Sequence, residues 1–227
     1  MAAANGDAGR LDELVTRRCA GEPVAWLVGS VRFCGETVLV HHGVYVPRWQ
    51  SEPMTLEAVA RLPRRGVAVD LCTGSGAIAL VMGTRRPEAR VLASERDPRA
   101  VACARANGID VYEGDMARGL PPSLEGTVDV VTAVVPYVPT DEVRLLPRDV
   151  VAFEPPDALD GGPDGTTYLC DAIRQAARLL SAGGSLLVEV GGDQDDILWP
   201  VLEECGFGDL SRSVDEDGDL RALYCRR

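Results

Sequence analysis

The sequence predicts an α/β fold: a doubly wound, mostly parallel seven-stranded sheet with an antiparallel last strand. Three observations carry this. Apolar strand-like segments alternate with helical segments through most of the chain, which places helices on both faces of a parallel sheet. A small-residue turn, Cys72-Thr73-Gly74-Ser75-Gly76, joins the first of these strands to its helix. The last two strands are separated only by a short acidic turn, which forces them antiparallel.

Leu11, Leu14, Val15 and Cys19 share one face of a short opening helix. Apolar residues from Val31 to Val46 recur with β character around Cys34-Gly35-Glu36 and read as a β-hairpin. A helix follows from about Ser51 to Leu62, with Ser51 as N-cap and Pro53 in the first turn. The alternation then runs strand Val67 to Leu71, helix Gly76 to Arg85, strand Arg90 to Ser94 and helix Pro98 to Asn107. Short strands are expected at Ile109 to Tyr112 and Val128 to Ala133. A helix from Thr166 to Leu180 is expected to close at Ala182-Gly183-Gly184, before a strand from Ser185 to Val190. A helix from Asp193 to Cys205 and strands near Leu210 to Val214 and Leu220 to Cys225 complete the pattern. The division expected is a helix-and-hairpin appendage over 1–50 and the doubly wound α/β domain over 51–227.

Bulk properties narrow the function. The 227 residues, 46% of them hydrophobic, suit one compact core. No apolar run reaches the roughly 18 residues of a membrane span, and Met1 to Arg10 lacks an apolar signal core. A soluble cytoplasmic protein is the expectation. The net charge of −12, with every basic residue an Arg, disfavours a nucleic-acid substrate, which needs a surplus of positive charge. Seven scattered cysteines (Cys19, Cys34, Cys72, Cys103, Cys170, Cys205 and Cys225) make no CxxC pair and read as reduced thiols. The adjacent His41 and His42 lack the companions of a metal site. The run Asp215 to Asp219 has its Gly in the wrong place for an EF-hand and reads as a hairpin turn.

The cofactor pattern centres on the turn after the first strand. Gly74 and Gly76 allow a sharp turn and close approach of a ligand to the backbone. Gly74-x-Gly76-x-x-Ala79 also meets the relaxed dinucleotide pattern. Asp70 argues against that reading, because a carboxylate there would repel a pyrophosphate. It would suit the cationic amino-acid end of S-adenosylmethionine, directly or through water. Glu95 ends the second strand, where a carboxylate can accept both ribose hydroxyls. Asp115 follows the third and can accept from an adenine amino group, with Met116 covering the ring. The expected cofactor set is Asp70, Cys72, Thr73, Gly74, Ser75, Gly76, Glu95, Arg96, Asp115 and Met116.

These residues and several further blocks resemble the HemK/PrmC-type protein glutamine methyltransferases. The blocks are Gly21-Glu22-Pro23, Phe33-Cys34-Gly35, Val46-Pro47-Arg48 with Ser51-Glu52, Pro136-Tyr137, Glu154-Pro155, Ala158 to Gly162 with Asp164-Gly165, and Glu189. The resemblance implies a Rossmann-like class I methyltransferase using S-adenosylmethionine, with a peptide release factor as acceptor. Two departures stand out. Only 20 residues precede Gly21, where the family carries a substantial N-terminal helical domain. The family's Asn-Pro-Pro-Tyr motif reads Val134-Val135-Pro136-Tyr137, so Val134 stands where the amide-holding Asn would be. The expected function is therefore a methyltransferase with an altered acceptor site, acting on a small-molecule or peptide nucleophile. Glutamine methylation and a catalytically inactive cofactor-binding module are the alternatives. The acceptor site is expected at Val134, Val135, Pro136 and Tyr137. A substrate rim is expected from Arg48, Glu52 and Glu154, with Asp160 and Asp164 adding to an acidic edge.

Overall fold

The computed structural model describes residues 7–227; the opening segment, 1–6, lies outside the described residues. Two helices, α1 (Ala8–Cys19) and α2 (Val24–Val28), precede a hairpin of β1 (Ser30–Phe33) and β2 (Glu36–Leu39). Helix α3 (Glu52–Arg61) leads into the sheet. Its strands are β3 (Val67–Leu71), β4 (Arg90–Glu95), β5 (Val111–Glu113), β6 (Val128–Ala133), β7 (Leu180–Glu189), β8 (Gly208–Val214) and β9 (Leu220–Arg226). They lie in the order β5-β4-β3-β6-β7-β9-β8, with β9 antiparallel to both neighbours. The fold class is the one the alternation predicts.

The central strands of the sheet are buried on both faces, so their neighbouring residues are apolar in both directions. Val69, Val131, Leu186 and Val188 join one core with α7 (Thr167–Leu179) and α8 (Gln194–Glu204). Ala68, Val130 and Leu187 face the other side, against α3 and α4 (Ala77–Arg85). Helix α5 (Pro98–Ala106) covers β4 and β5 through Val101 and Ala104. From β3 the chain winds out to β4 and β5, then crosses back to β6 and β7. That reversal between β3 and β6 opens a crevice beyond the strands' carboxyl ends.

Three local expectations are corrected. The hairpin ends at Leu39, and the apolar run beyond it is irregular chain. There Val40 and Val46 are buried beside Trp26, and Val44 against Ala100 and Cys103. Its periodicity records burial, not strand pairing. Ser51 holds the N-cap position of α3 but makes no side-chain cap bond: it ends a 3-10 turn (Trp49–Ser51) with helical backbone angles, and its hydroxyl donates to Glu189 instead. Ala182-Gly183-Gly184 does not close α7. Leu180 already starts β7, and the glycines form an irregularity where pairing with β6 slips between Val128/Leu180 and Val130/Ser185. A further short helix, α6 (Arg148–Phe153), adds to the expected elements.

Among the described residues no helix is long and apolar enough to cross a membrane. All seven cysteines are free thiols.

Candidate functional site

A cleft of about 1270 Å³ lies across the strand ends at the reversal point. Residues just past β3, β4, β5 and β6, the end of β7 and the start of β9 form its floor. Its walls come from the chain around Tyr45 to Arg48 and from α6.

The loop after β3 reaches it through two left-handed residues, Cys72 (φ +54°) and Gly74 (φ +57°). A Cβ on Gly74 would meet no atom within 4 Å, so the backbone there is bare toward open space. Gly76 serves a different need. A Cβ on it would sit 2.7 Å from Ile109 Cγ1, so Gly76 permits close packing of α4 against the chain after α5. The loop is braced by Thr73 N–H to Ser94 O (3.1 Å) and Gly74 N–H to Glu95 Oε2 (2.9 Å). Glu95 Oε1 also accepts the N–H groups of Arg96 and Asp97 at 2.8 and 2.9 Å.

Asp70 does not face the cleft: of the two contacts expected of it, direct or through water, the direct one is corrected. It is 1% exposed beneath the loop, where it accepts the hydroxyls of Thr73 (2.5 Å) and Thr132 (2.7 Å). Burial pushes its carboxyl up to about 6, against the pull of those two hydroxyls. Thr73, Ser75 and Gly76 also lie behind the lining surface. Cys72, Gly74, Glu95, Arg96, Asp115 and Met116 do line it.

Met116 is a second left-handed non-glycine (φ +52°), and its Sδ lies 3.5 Å from Cys72 Sγ. Two such residues meeting at the strand ends mark a backbone shaped by the site. Asp115 pairs with Arg118 at the rim, and Arg96 sits over the Tyr168 ring at 5.2 Å.

The motif after β6 brings Val134, Val135, Pro136 and Tyr137 into the same cleft. Val134 packs its apolar side chain against the α3–α4 core. Tyr137 Oη donates to Glu189 Oε1 at 2.8 Å, and Ser51 Oγ donates to Glu189 Oε2. Burial raises the Glu189 carboxyl, opposed by these two donors and by Arg221 and Arg48. Burial likewise raises Tyr137, reinforced by the negative charge of Glu189. Arg48 pairs with buried Glu154 and lies over the Tyr45 ring at 5.0 Å, while Val46 N–H also donates to Glu154 (3.3 Å).

The rest of the expected rim is corrected. Glu52 turns to the hairpin and accepts Cys34 N–H at 3.0 Å. Asp160 and Asp164 brace their own loop, through Thr140 and Gly162 and through Thr166 respectively, and neither lines the cleft. The sequence reading gave no site role to Tyr45, Phe153, Tyr168, Glu189 or Arg221, all of which line it. Of these only Glu189 carried a signal: an acidic residue ending a central strand before Gly191-Gly192, inside one of the resembling blocks.

The sheet order, the loop after β3 and an acid at the end of β4 define a class I methyltransferase, whose cofactor is S-adenosylmethionine. The chain belongs to the release factor glutamine methyltransferase family of the HemK/PrmC type. It is 32% identical over 216 residues to the release factor glutamine methyltransferase of Geobacter sulfurreducens, covering 92% of this chain and 75% of that protein. With the enzyme of the same name from Mycolicibacterium smegmatis it shares 41% over 184 residues, covering 78% of this chain and 65% of the relative. A 4-amino-L-phenylalanine/4-methylamino-L-phenylalanine methyltransferase of Streptomyces pristinaespiralis is 39% identical over 191 residues, covering 79% and 65%. No family model matches the chain. Among solved structures, the ribosomal protein L11 methylase of Lactobacillus delbrueckii superposes with TM-score 0.58 at 16% identity, covering 85% of this chain and 86% of that one. A T. thermophilus 16S rRNA methyltransferase, solved in complex with AdoMet and guanosine, gives 0.54 at 18%, covering 86% and 43%.

Proposed function

We propose that this methyltransferase acts on an acceptor other than a carboxamide, a small molecule or a peptide nucleophile. The observation that supports this reading is Val134, an apolar side chain on the cleft wall at the family motif's Asn position.

The cleft fits the cofactor class. Seven acidic side chains and four arginines line it, an excess of three negative charges suited to a cation. Its volume exceeds the roughly 300–1,000 Å³ of an ordinary ligand pocket, leaving room for an acceptor beside a nucleotide. Gly74 offers bare backbone, Glu95 keeps one free lone pair, on Oε2, for a ribose hydroxyl, and Cys72 with Met116 gives an apolar wall for a base, near Asp115. Asp70 supports the site from behind, by fixing Thr73 and hence the loop. When bound, S-adenosylmethionine supplies an electrophilic methyl group on a cationic sulfonium. The protein's part is then to orient a nucleophile and to exclude water, because a thioether leaving group needs no proton.

An amide nitrogen is a poor nucleophile whose geometry has to be imposed by hydrogen-bond acceptors. Val134 has none, and one lost transition-state hydrogen bond costs roughly 3 kcal/mol, about a hundredfold in rate. A better nucleophile needs no such clamp. Glutamine methylation is the second reading, favoured by the relatives of that name.

The test is methyl transfer from labelled S-adenosylmethionine, after calorimetry establishes binding. Offered a Gly-Gly-Gln peptide and small nucleophiles side by side, the enzyme is expected to label the latter. Label on the glutamine amide alone overturns the proposal. Binding without transfer to any acceptor leaves the inactive-module reading.

A further inference from the structure

Most buried carboxylates of this protein are matched. Glu22, Glu154 and Asp195 each hold an arginine. Glu95 holds three backbone N–H groups. Asp70 takes two threonine hydroxyls away from the cleft. Glu189 differs. It is 3% exposed, it lines the cleft, and it receives only the neutral hydroxyls of Ser51 and Tyr137. Among the described residues it forms no ion pair. Arg221, whose charge it feels, is held by Asp215 (2.5 Å) and Asp219 (3.3 Å), and Arg48 is held by Glu154.

Each Glu189 oxygen meets one hydroxyl, and in the ionised form each keeps a free lone pair. A carboxylate this deep is costly unless a positive partner arrives. The groups facing it are Ser51, Tyr137, Tyr45, Arg48 and Arg221, and none of them completes that pairing. Tyr45, Tyr137 and Val134 add aromatic and apolar surface to the same cleft.

We infer that the methyl acceptor is an amine carried on an apolar or aromatic body, and that Glu189 is the residue that receives its N–H groups. This rests on the non-carboxamide reading above and names its substrate class. An acceptor arriving as ammonium gives one proton to the Glu189 carboxylate. The freed nitrogen lone pair then forms the N–C bond while the S–CH3 bond breaks, its electron pair staying on sulfur. The N-methyl ammonium product carries the positive charge away, and Glu189 returns its proton to water. Burial shifts the Glu189 carboxyl upward, so its ionised form is a stronger base than a surface carboxylate.

The experiment uses four acceptors with the full chain and labelled S-adenosylmethionine: 4-(aminomethyl)-L-phenylalanine, 4-amino-L-phenylalanine, L-tyrosine and a Gly-Gly-Gln peptide. Transfer to the amines, at least tenfold above tyrosine and the peptide, is expected. For the aminomethyl acceptor, kcat/KM should rise with pH as Glu189 ionises. Glu189→Gln should lower it at least a hundredfold and abolish that rise, with S-adenosylhomocysteine affinity within threefold of wild type. Ser51→Ala, which removes one donor to the carboxylate, should move the rise to higher pH, and it serves if Glu189→Gln does not fold. Transfer to the tyrosine phenol oxygen but to no amine nitrogen overturns the amine assignment and leaves the non-carboxamide reading standing. Transfer to the peptide alone overturns both. An unchanged pH rise in either variant, or no transfer to either amine with cofactor bound, overturns the role given to Glu189.

Discussion

Glu95 Oε2 accepts the backbone N–H of Gly74 at 2.9 Å, tying the end of β4 to the loop that leaves β3. The same carboxylate holds the first two N–H groups after β4, so one side chain fixes both lips of the proposed nucleotide site. Glu95→Gln keeps the shape but turns one acceptor oxygen into an NH2 that faces N–H donors. The expected result is a loss of at least tenfold in S-adenosylmethionine affinity by calorimetry. Leaving a partly buried donor unmatched costs about 1–3 kcal/mol. Thermal unfolding should therefore fall by several degrees, at roughly 2–4 °C per kcal/mol for a chain of this size.

Gly74 and Gly76 are close in sequence but differ in what surrounds them, and alanine separates their roles. At Gly76 the added methyl meets Ile109 Cγ1 at 2.7 Å and Ala104 Cβ at 3.3 Å, on a backbone at φ +84°. Left-handed strain of about 1–2 kcal/mol and overpacking of about 1–3 kcal/mol add, so Gly76→Ala should show a large drop in denaturant midpoint. At Gly74 the methyl meets nothing. Gly74→Ala should cost only the strain term, about 1–2 kcal/mol, while calorimetry shows weakened cofactor binding.

Asp70 makes stability depend on pH. Its carboxyl is raised from 3.8 to about 6 in the folded protein, so between those values the folded state binds more protons than the unfolded chain. Its contribution is thus fully favourable below about 4 and is lost as pH rises to about 6. A shift of this size corresponds to about 3 kcal/mol. Asp70→Asn carries no such ionisation. The difference in unfolding free energy between variant and wild type, from urea titrations on either side of this window, should move in favour of the variant by a few kcal/mol at the higher pH. Equal differences at the two pH values would contradict the burial account.

The sheet was legible because strand and helix periods alternate, and every strand of it was placed close to its observed ends except β7. What failed was information carried by tertiary partners. Ser51 has the residue type and position of an N-cap, yet a buried carboxylate 138 residues away takes its hydroxyl. Glu52 was assigned to the cleft by resemblance, but its carboxylate is occupied by the hairpin turn. Asp70 was read as facing the ligand because strand ends point there. The alternation of side chains across β3 turns it under the loop instead. Val134 to Tyr137 reach the cleft from the end of β6, as their order in the chain implies, while Tyr45 and Phe153 reach it from irregular chain and a short helix with no local signature.

The acceptor reading turns on Val134, and three substitutions separate its possible causes. If Val134 excludes carboxamides by lacking an acceptor, Val134→Asn with Val135→Pro should raise transfer to a Gly-Gly-Gln peptide by about tenfold or more, part of the roughly hundredfold cost of a lost transition-state hydrogen bond. If it excludes them only by bulk, Val134→Ala should do the same, because alanine opens the wall without adding an oxygen. The two variants also differ in what they do to the amine acceptors. An Asn side chain on the wall adds a polar group that an apolar-bodied amine leaves unmatched, at about 1–3 kcal/mol when buried. The double variant should therefore lose amine transfer as it gains peptide transfer, whereas Val134→Ala should leave amine transfer nearly unchanged. Val135 is itself buried in the main core, so the proline must be judged against its cost in packing. Thermal unfolding of Val134→Asn alone and of the pair separates that cost from the chemistry, and steady-state kinetics on both acceptors at one pH reads the exchange of specificity directly.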